Sequence, residues 1–286
     1  MASFVILTTA DLPEAYFLGA FLESHDQPFG LVNIVARPLR DQIRVLTRLS
    51  RKRGLACVGD VVVARLVDAL LLTVHRKQLR QAVRAFPEVT PNLVRGLRAR
   101  HPHLECHDPH DEEVLAFVRG LAPDYILLAG APILRPSFFG LARRATLNRH
   151  LGLLPDFRGS DCAVWAFALG RPECAGYSIH VVNERVDGGD VVVRRPLPAN
   201  GDATLEDYLR HLRREASNAF VGVIGRLLEG APLRPLAQAR SGQYFPPAGW
   251  SVQRRAVRNY ARLAVRPASQ GTTLPTDVDD ILPQAR

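Results

Sequence analysis

Residues 111–129 read DEEVLAFVRGLAPDYILLA, and the two halves of this stretch follow different periods. Val114, Leu115, Val118 and Leu121 recur at helical spacing, Asp111 to Glu113 suit the positive end of a helix, and Gly120 and Pro123 punctuate its exit. The run Tyr125–Ala129 is apolar throughout and too short for a helix, so it reads as a strand buried on both faces. A helix delivering the chain through a short turn into such a strand is the repeating unit of a parallel sheet wrapped by helices.

The same alternation extends in both directions. Short β-branched runs at Phe4–Thr8, Leu31–Ala36 and Ala145–Leu147 alternate with longer helical patterns, which predicts an open α/β fold with a mainly parallel sheet. Between Pro38 and Arg100 the pattern is mainly helical and longer than an ordinary crossover, so a helical insertion is expected at about 38–100. Thr204–Glu229 is amphipathic at helical spacing and is closed by Gly230 and Pro232. The expected division is therefore a catalytic unit over 1–200 and a C-terminal helix with a basic extension over 201–286, with a polar tail from Pro267 expected to be partly unstructured.

Hydrophobic residues make up 47% and charged residues 23% of the 286, enough to bury a core and to exclude wholesale disorder. The formal charge of +9 favours anionic partners, whether small phosphorylated ligands, nucleic acid or an acidic membrane, without choosing among them. The cysteines, Cys57, Cys106, Cys162 and Cys174, form no Cys-x-x-Cys pair, so neither a zinc ribbon nor a disulfide framework is indicated. Phe4–Leu7 opens the chain without the charged leader of a secretory signal, and Leu55–Val74 carries Asp60, Arg65 and Asp68, which disfavours a membrane span. A cytoplasmic protein is expected.

The chemistry is concentrated in residues 146–190, TLNRHLGLLPDFRGSDCAVWAFALGRPECAGYSIHVVNERVDGGD. Asn148 and His150 stand two apart at the end of an expected strand, so alternation directs both to one face. The carboxyl end of a parallel strand is where open α/β sheets hold their ligands. Leu153-Leu154-Pro155 and Phe157-Arg158-Gly159 follow as an irregular loop. Tyr177–Val182 then reads as a strand leading into Val186-Asp187-Gly188-Gly189, whose glycines free the chain to present Asp187.

In this order, Asn-x-His, Leu-Leu-Pro, Arg-Gly and Asp-x-Gly after a strand resemble the formyltransferases that use 10-formyltetrahydrofolate, whose members act on glycinamide ribonucleotide, initiator methionyl-tRNA and sugar nucleotides. The resemblance covers about 100–195 well and Phe4–Ala36 loosely. It implies a Rossmann-like fold, 10-formyltetrahydrofolate as co-substrate with no metal, and a catalytic trio of Asn148, His150 and Asp187. Asn148 and His150 would donate to the oxyanion that forms when an amine attacks the formyl carbonyl. Asp187 would favour a charged imidazolium on His150 and help move the amine proton.

By the same resemblance the pteridine would lie against Leu128, Gly130, Ile133 and Leu134, against Leu154 and Pro155, and against Val182, Val186 and Asp187. Gly152 stands where many relatives have serine, and Ser160-Asp161-Cys162-Ala163 stands where the tRNA enzymes have a proline-containing turn. The residues after Glu206 begin with a long helix rather than a β-rich nucleic-acid domain. A small-molecule amine, free amino sugar or sugar nucleotide, is the acceptor expected, with no nucleic acid as partner. A homodimer is compatible with the family's sugar enzymes. A formyltetrahydrofolate hydrolase and a methionyl-tRNA-type enzyme remain the alternatives.

Three further features invite function. His101, His103, Cys106, His107 and His110, with Asp108 and Asp111, lack paired zinc spacing and read as a solvated His-rich loop. Arg37, Arg40, Arg44, Arg48 and Arg51 form one basic helical face opposite Ile43, Leu46 and Leu49, read first as solvated, with substrate phosphates or an anionic membrane surface as the alternatives. Trp165 and Phe167 read as core, and Trp250 as a candidate wall for an acceptor pocket.

Overall fold

The computed structural model describes residues 2–35, 82–199, 204–239 and 242–264. The basic face at Arg37–Arg51, the apolar stretch Leu55–Val74 with Cys57, most of the expected insertion at 38–100 and the tail from Pro267 lie outside these residues.

The strands are β1 (Phe4–Thr9), β2 (Phe29–Ile34), β3 (His103–Cys106), β4 (Tyr125–Ala129), β5 (Ala145–His150), β6 (Phe157–Gly159), β7 (Gly176–Val181), β8 (Val191–Pro196) and β9 (Gln243–Phe245). Seven of them form one sheet in the order β3-β2-β1-β4-β5-β7-β8. The five from β3 to β5 run parallel, and β7 and β8 close the far side antiparallel. The strand order reverses beside β1, and the crevice at such a switch point is where these sheets receive ligands. The expected open, mainly parallel α/β fold is what the chain adopts.

The helices that cover the sheet are α1 (Pro13–Ser24), α2 (Pro91–Arg100), α3 (Glu112–Leu121), α4 (Pro136–Phe139), α5 (Cys162–Ala168), α6 (Leu205–Leu228) and α7 (Trp250–Ala264). Helix α3 starts after Asp111 as the sequence predicts, with Glu112 and Glu113 in its first turn, and stops at Ala122 in the left-handed conformation. Thr204 caps α6 by accepting the Asp207 N–H at 3.1 Å. Tyr208, Leu212, Ala216 and Phe220, four apart, put one stripe of α6 into the core.

Alternation along the strands divides the core. Phe4, Ile6, Leu127, Leu147 and Ile179 face α1 and α6, whereas Val5, Leu7, Val32, Ile126 and Leu128 face α3 and α4. Strand β5 runs three residues past the expected Leu147, to His150. Asn148 and His150 therefore alternate with Arg149, which points to the α1–α6 side.

There Arg149 (8% exposed) meets Glu14 (1% exposed). Glu14 Oε1 accepts from Arg149 Nη2 at 3.2 Å and from Arg213 Nη1 at 2.8 Å. Burial alone would raise the Glu14 carboxyl pKa; the two guanidinium groups outweigh it and hold the pKa below the usual range. The triad clamps β5 between the first turn of α1 and the middle of α6.

Candidate active site

The end of β5 and the antiparallel β7 pair Asn148 with His180 and His150 with Ser178. That register brings a third polar group to the pair identified from sequence. His180 is 2% exposed, and its Nδ1–H donates to the Val181 carbonyl at 2.9 Å. In the neutral ring Nε2 is then an acceptor, and the Asn148 amide donates to it at 3.1 Å.

Asp187 returns to this point from the loop after β7. Its Oδ2 accepts the Gly159 N–H at 2.8 Å and lies 3.6 Å from His150 Nδ1, while Oδ1 lies 3.4 Å from His180 Nε2. The loop is tied in place from three sides. Arg158 Nε donates to the Val186 carbonyl at 2.9 Å, and the Gln238 amide donates to the carbonyls of Asp187 at 2.9 Å and Gly189 at 2.7 Å. Asp187 itself sits at a φ of 48°, a conformation costly for a residue with a side chain. Gly189 must be glycine, because a Cβ there would fall 1.8 Å from the Val181 carbonyl oxygen.

The His150 ring is buried, and its Nε2–H donates to the Phe157 carbonyl at 2.8 Å. Gly152 makes this bond possible: a Cβ at that position would stand 2.5 Å from His150 Nε2 and 2.9 Å from the Phe157 oxygen. Burial lowers the His150 pKa, and the opposing attraction of Asp187 does not restore it. Asp187 acts in the expected direction, toward the imidazolium, but burial is the larger effect; in the neutral ring, with Nε2–H committed to Phe157, Nδ1 turns its lone pair toward Asp187. Burial would raise the Asp187 pKa, but the attraction of His150 and His180, exerted when a ring carries its second proton, and the Gly159 N–H bring it well below its usual range.

These shifts have one sign for stability. A His with a depressed folded pKa binds its proton more readily when unfolded, so protonation opposes folding. The thermal midpoint is expected to fall as pH drops below the free value of 6.5, and to fall again as Asp187 is forced to protonate below 3.8. For a reaction that uses neutral His150, kcat/KM should stay flat down to pH 6.5 and decline only in more acid buffer. An acid limb centred above 6.5 would contradict the buried neutral ring.

The residues expected to line a ligand fall into two groups. Leu128 and Leu134 are buried in the cluster against which Val182 packs, and Ile133, beside Leu134, is 68% exposed. Gly130, at the mouth of β4, has a φ of 80°. Leu154 is fully buried, while Pro155 and Val186 are half-buried. Of the other candidates, Phe167 is core and Trp165 Nε1 donates to the Pro246 carbonyl at 2.7 Å. Trp250 is 71% exposed, with the Arg254 guanidinium 4.4 Å over its ring.

The His-rich stretch is not a freely solvated loop. His101 stacks on Phe29 and contacts Glu23 at 3.0 Å, His107 Nδ1 donates to the Val35 carbonyl at 3.0 Å, and His110 is wedged between Asp108 and Arg135. The side chains fix separate segments, which explains the correction. Among the described residues no three His, Cys, Asp or Glu side chains converge to hold a metal. Nor is any described helix long and apolar enough to cross a membrane.

A protein-family model described as formyl transferase matches residues 69–224. The methionyl-tRNA formyltransferase of Chlorobium luteolum is 26% identical over 201 residues, covering 68% of this chain and 64% of that protein. The chain thus spans less than two thirds of that curated relative. Among solved structures, a sugar N-formyltransferase from a Shewanella species superposes with a TM-score of 0.53 at 12% identity, over 90% of this chain and 87% of that one. Glycinamide ribonucleotide transformylase 1 from Symbiobacterium toebii gives 0.51 at 20% identity, over 83% and 94%. Both are likenesses of fold. Because the family match runs over more than half of the sequence and takes in β5, β7 and the Asp187 loop, the chain belongs to the formyl transferase family.

Proposed function

We propose that this protein transfers the formyl group of 10-formyltetrahydrofolate to the amine of a small-molecule acceptor, an amino sugar or a nucleotide-linked amino sugar. The observation that carries the reading is the Asp187 carboxyl group, buried and held between His150 at 3.6 Å and His180 at 3.4 Å. A buried carboxylate facing the lone pair of a neutral imidazole suits a site that must take up one proton during reaction.

A flat, partly apolar co-substrate fits the residues present. Exposed Ile133 adjoins a wall that includes buried Leu128 and Leu134, and the Val182 side chain packs on the same cluster. Gly130, Leu154, Pro155 and Val186 would complete the enclosure. When bound, 10-formyltetrahydrofolate supplies a formyl group on a nitrogen that can leave.

His150 takes the proton of the attacking amine on Nδ1, since its Nε2–H is committed to the Phe157 carbonyl. Asp187 stabilises the imidazolium so formed, and the ring can return the proton to the leaving nitrogen. Asn148 has two amide N–H bonds; one meets His180, and the second serves the oxygen on which negative charge develops. His180, through Asn148 and Asp187, orients both partners.

In this reading residues 1–200 form the catalytic unit, and 201–286 form an extension that helps to build the rim. Support for a small acceptor comes from that rim. Strand β9 pairs with β6, the Ala248 N–H donates to Asp161 at 2.9 Å, and Gln238 secures the Asp187 loop, so the chain's own extension closes on the site. A second reading, formylation of methionyl-tRNA, is favoured by the named activity of the curated relative and by the charge of +9.

Tetrahydrofolate release from 10-formyltetrahydrofolate, measured with amino sugars, amino-sugar nucleotides, amino acids and charged initiator tRNA, separates the two. Stimulation by an amino sugar or its nucleotide supports the proposal. Stimulation by tRNA alone replaces the acceptor, and release without any amine makes the protein a hydrolase.

A further inference from the structure

The loop between β3 and α3 carries His110, whose contacts lie outside the trio. The His110 side chain is 12% exposed. Its Nε2 accepts the backbone N–H of Arg135 at 3.0 Å, and its Nδ1 donates to Asp108 Oδ1 at 2.9 Å. Because a backbone N–H can only donate, Nε2 must carry the lone pair and Nδ1 the proton. Asp108 selects that tautomer, and its own position is set by accepting the His110 backbone N–H at 2.9 Å.

Arg135 ends the segment that leaves β4 at Gly130 and enters α4. This is the segment that carries exposed Ile133 and buried Leu134. Among the described residues, the His110 contact is the one side-chain hydrogen bond to the backbone of 130–135. The His110 ring also meets Phe138 edge-on at 6.5 Å, so it joins both the start and the body of α4 to the loop between β3 and α3. Nothing in the transfer chemistry uses His110, yet it fixes the path of the wall offered to the co-substrate.

We infer that His110, locked by Asp108, is a positioning residue for the folate side of the site. It holds the 130–135 backbone in a binding-competent path and sets co-substrate affinity rather than the rate of transfer. This inference rests on the folate-dependent reading given above. Loss of one ordering hydrogen bond of this kind is worth about tenfold in affinity.

The test titrates wild type, His110→Ala and His110→Gln with folinic acid, and measures kcat, the KM for 10-formyltetrahydrofolate and amide exchange over 130–139. In His110→Ala, the folinic acid Kd and the KM should each rise about tenfold, kcat should stay within about twofold, and exchange at Arg135 should accelerate. Glutamine puts a carbonyl oxygen near the former Nε2 position, so His110→Gln should recover most of the affinity and the protection. An unchanged Kd in His110→Ala, a loss confined to kcat, or failure of glutamine to rescue a folded variant would overturn the inference. Wild type that binds no folinic acid would overturn the folate reading and this inference together, whereas normal wild-type binding with an unaffected alanine variant overturns only this one.

Discussion

Replacing His150 with alanine is expected to lower kcat/KM for formyl transfer by about 10²–10⁴-fold, the range supplied by a positioned general base. The loss follows from the assignment of protons. Nε2–H is occupied by the Phe157 carbonyl, leaving Nδ1 as the ring's sole proton acceptor. Alanine also leaves Asp187 with one fewer partner, so folding should be checked by the thermal midpoint before rates are compared. A folded His150→Ala protein with kcat/KM within about threefold of wild type would remove His150 from the proton path.

Replacing Glu14 with alanine is expected to destabilise the fold by about 3–5 kcal/mol, the usual cost of orphaning a buried charge. Two guanidinium groups would lose the carboxylate they share: Arg149, 8% exposed on β5, and Arg213 on α6. A domain whose whole stability is about 5–15 kcal/mol would be close to unfolding. Since Arg149 lies between Asn148 and His150, activity should fall at temperatures below the new midpoint as well. Urea unfolding of Glu14→Ala against Glu14→Ala/Arg149→Met checks the cause, because removing the stranded charge should restore part of the loss. A cost under about 1 kcal/mol for the single variant would contradict the buried triad.

The parts of this architecture with a short period were legible in the sequence. Tyr125–Ala129 and α3 follow from residues that are neighbours along the chain, and Asn148 and His150 share a face by alternation alone. His180 was not identified, although it alternates with buried Tyr177 and Ile179 and precedes the Asp187 loop in the same strand. Its role depends on the antiparallel register that sets it against Asn148, and nothing local to residue 180 states that direction. Gln238 was hidden for a related reason: its partners, Asp187 and Gly189, come from a loop far away in sequence.

Sequence shows the pull of Asp187 on His150 but not the burial that outweighs it. The ring is buried with its Nε2 against the Phe157 carbonyl, and that desolvation is a property of packing. Arg149 was passed over between two recognised residues, since its burial is intelligible only once Glu14 and Arg213 arrive from α1 and α6.

The most direct test of the central claim follows the carbon itself. Wild-type protein is incubated with 10-formyltetrahydrofolate labelled in the formyl carbon and with the amine that best stimulates tetrahydrofolate release, and the label is located. The account predicts label in a new formamide, in a yield equal to the tetrahydrofolate formed and greatly reduced in His150→Ala. Label recovered only as formate, or left on the folate under every acceptor, would contradict it.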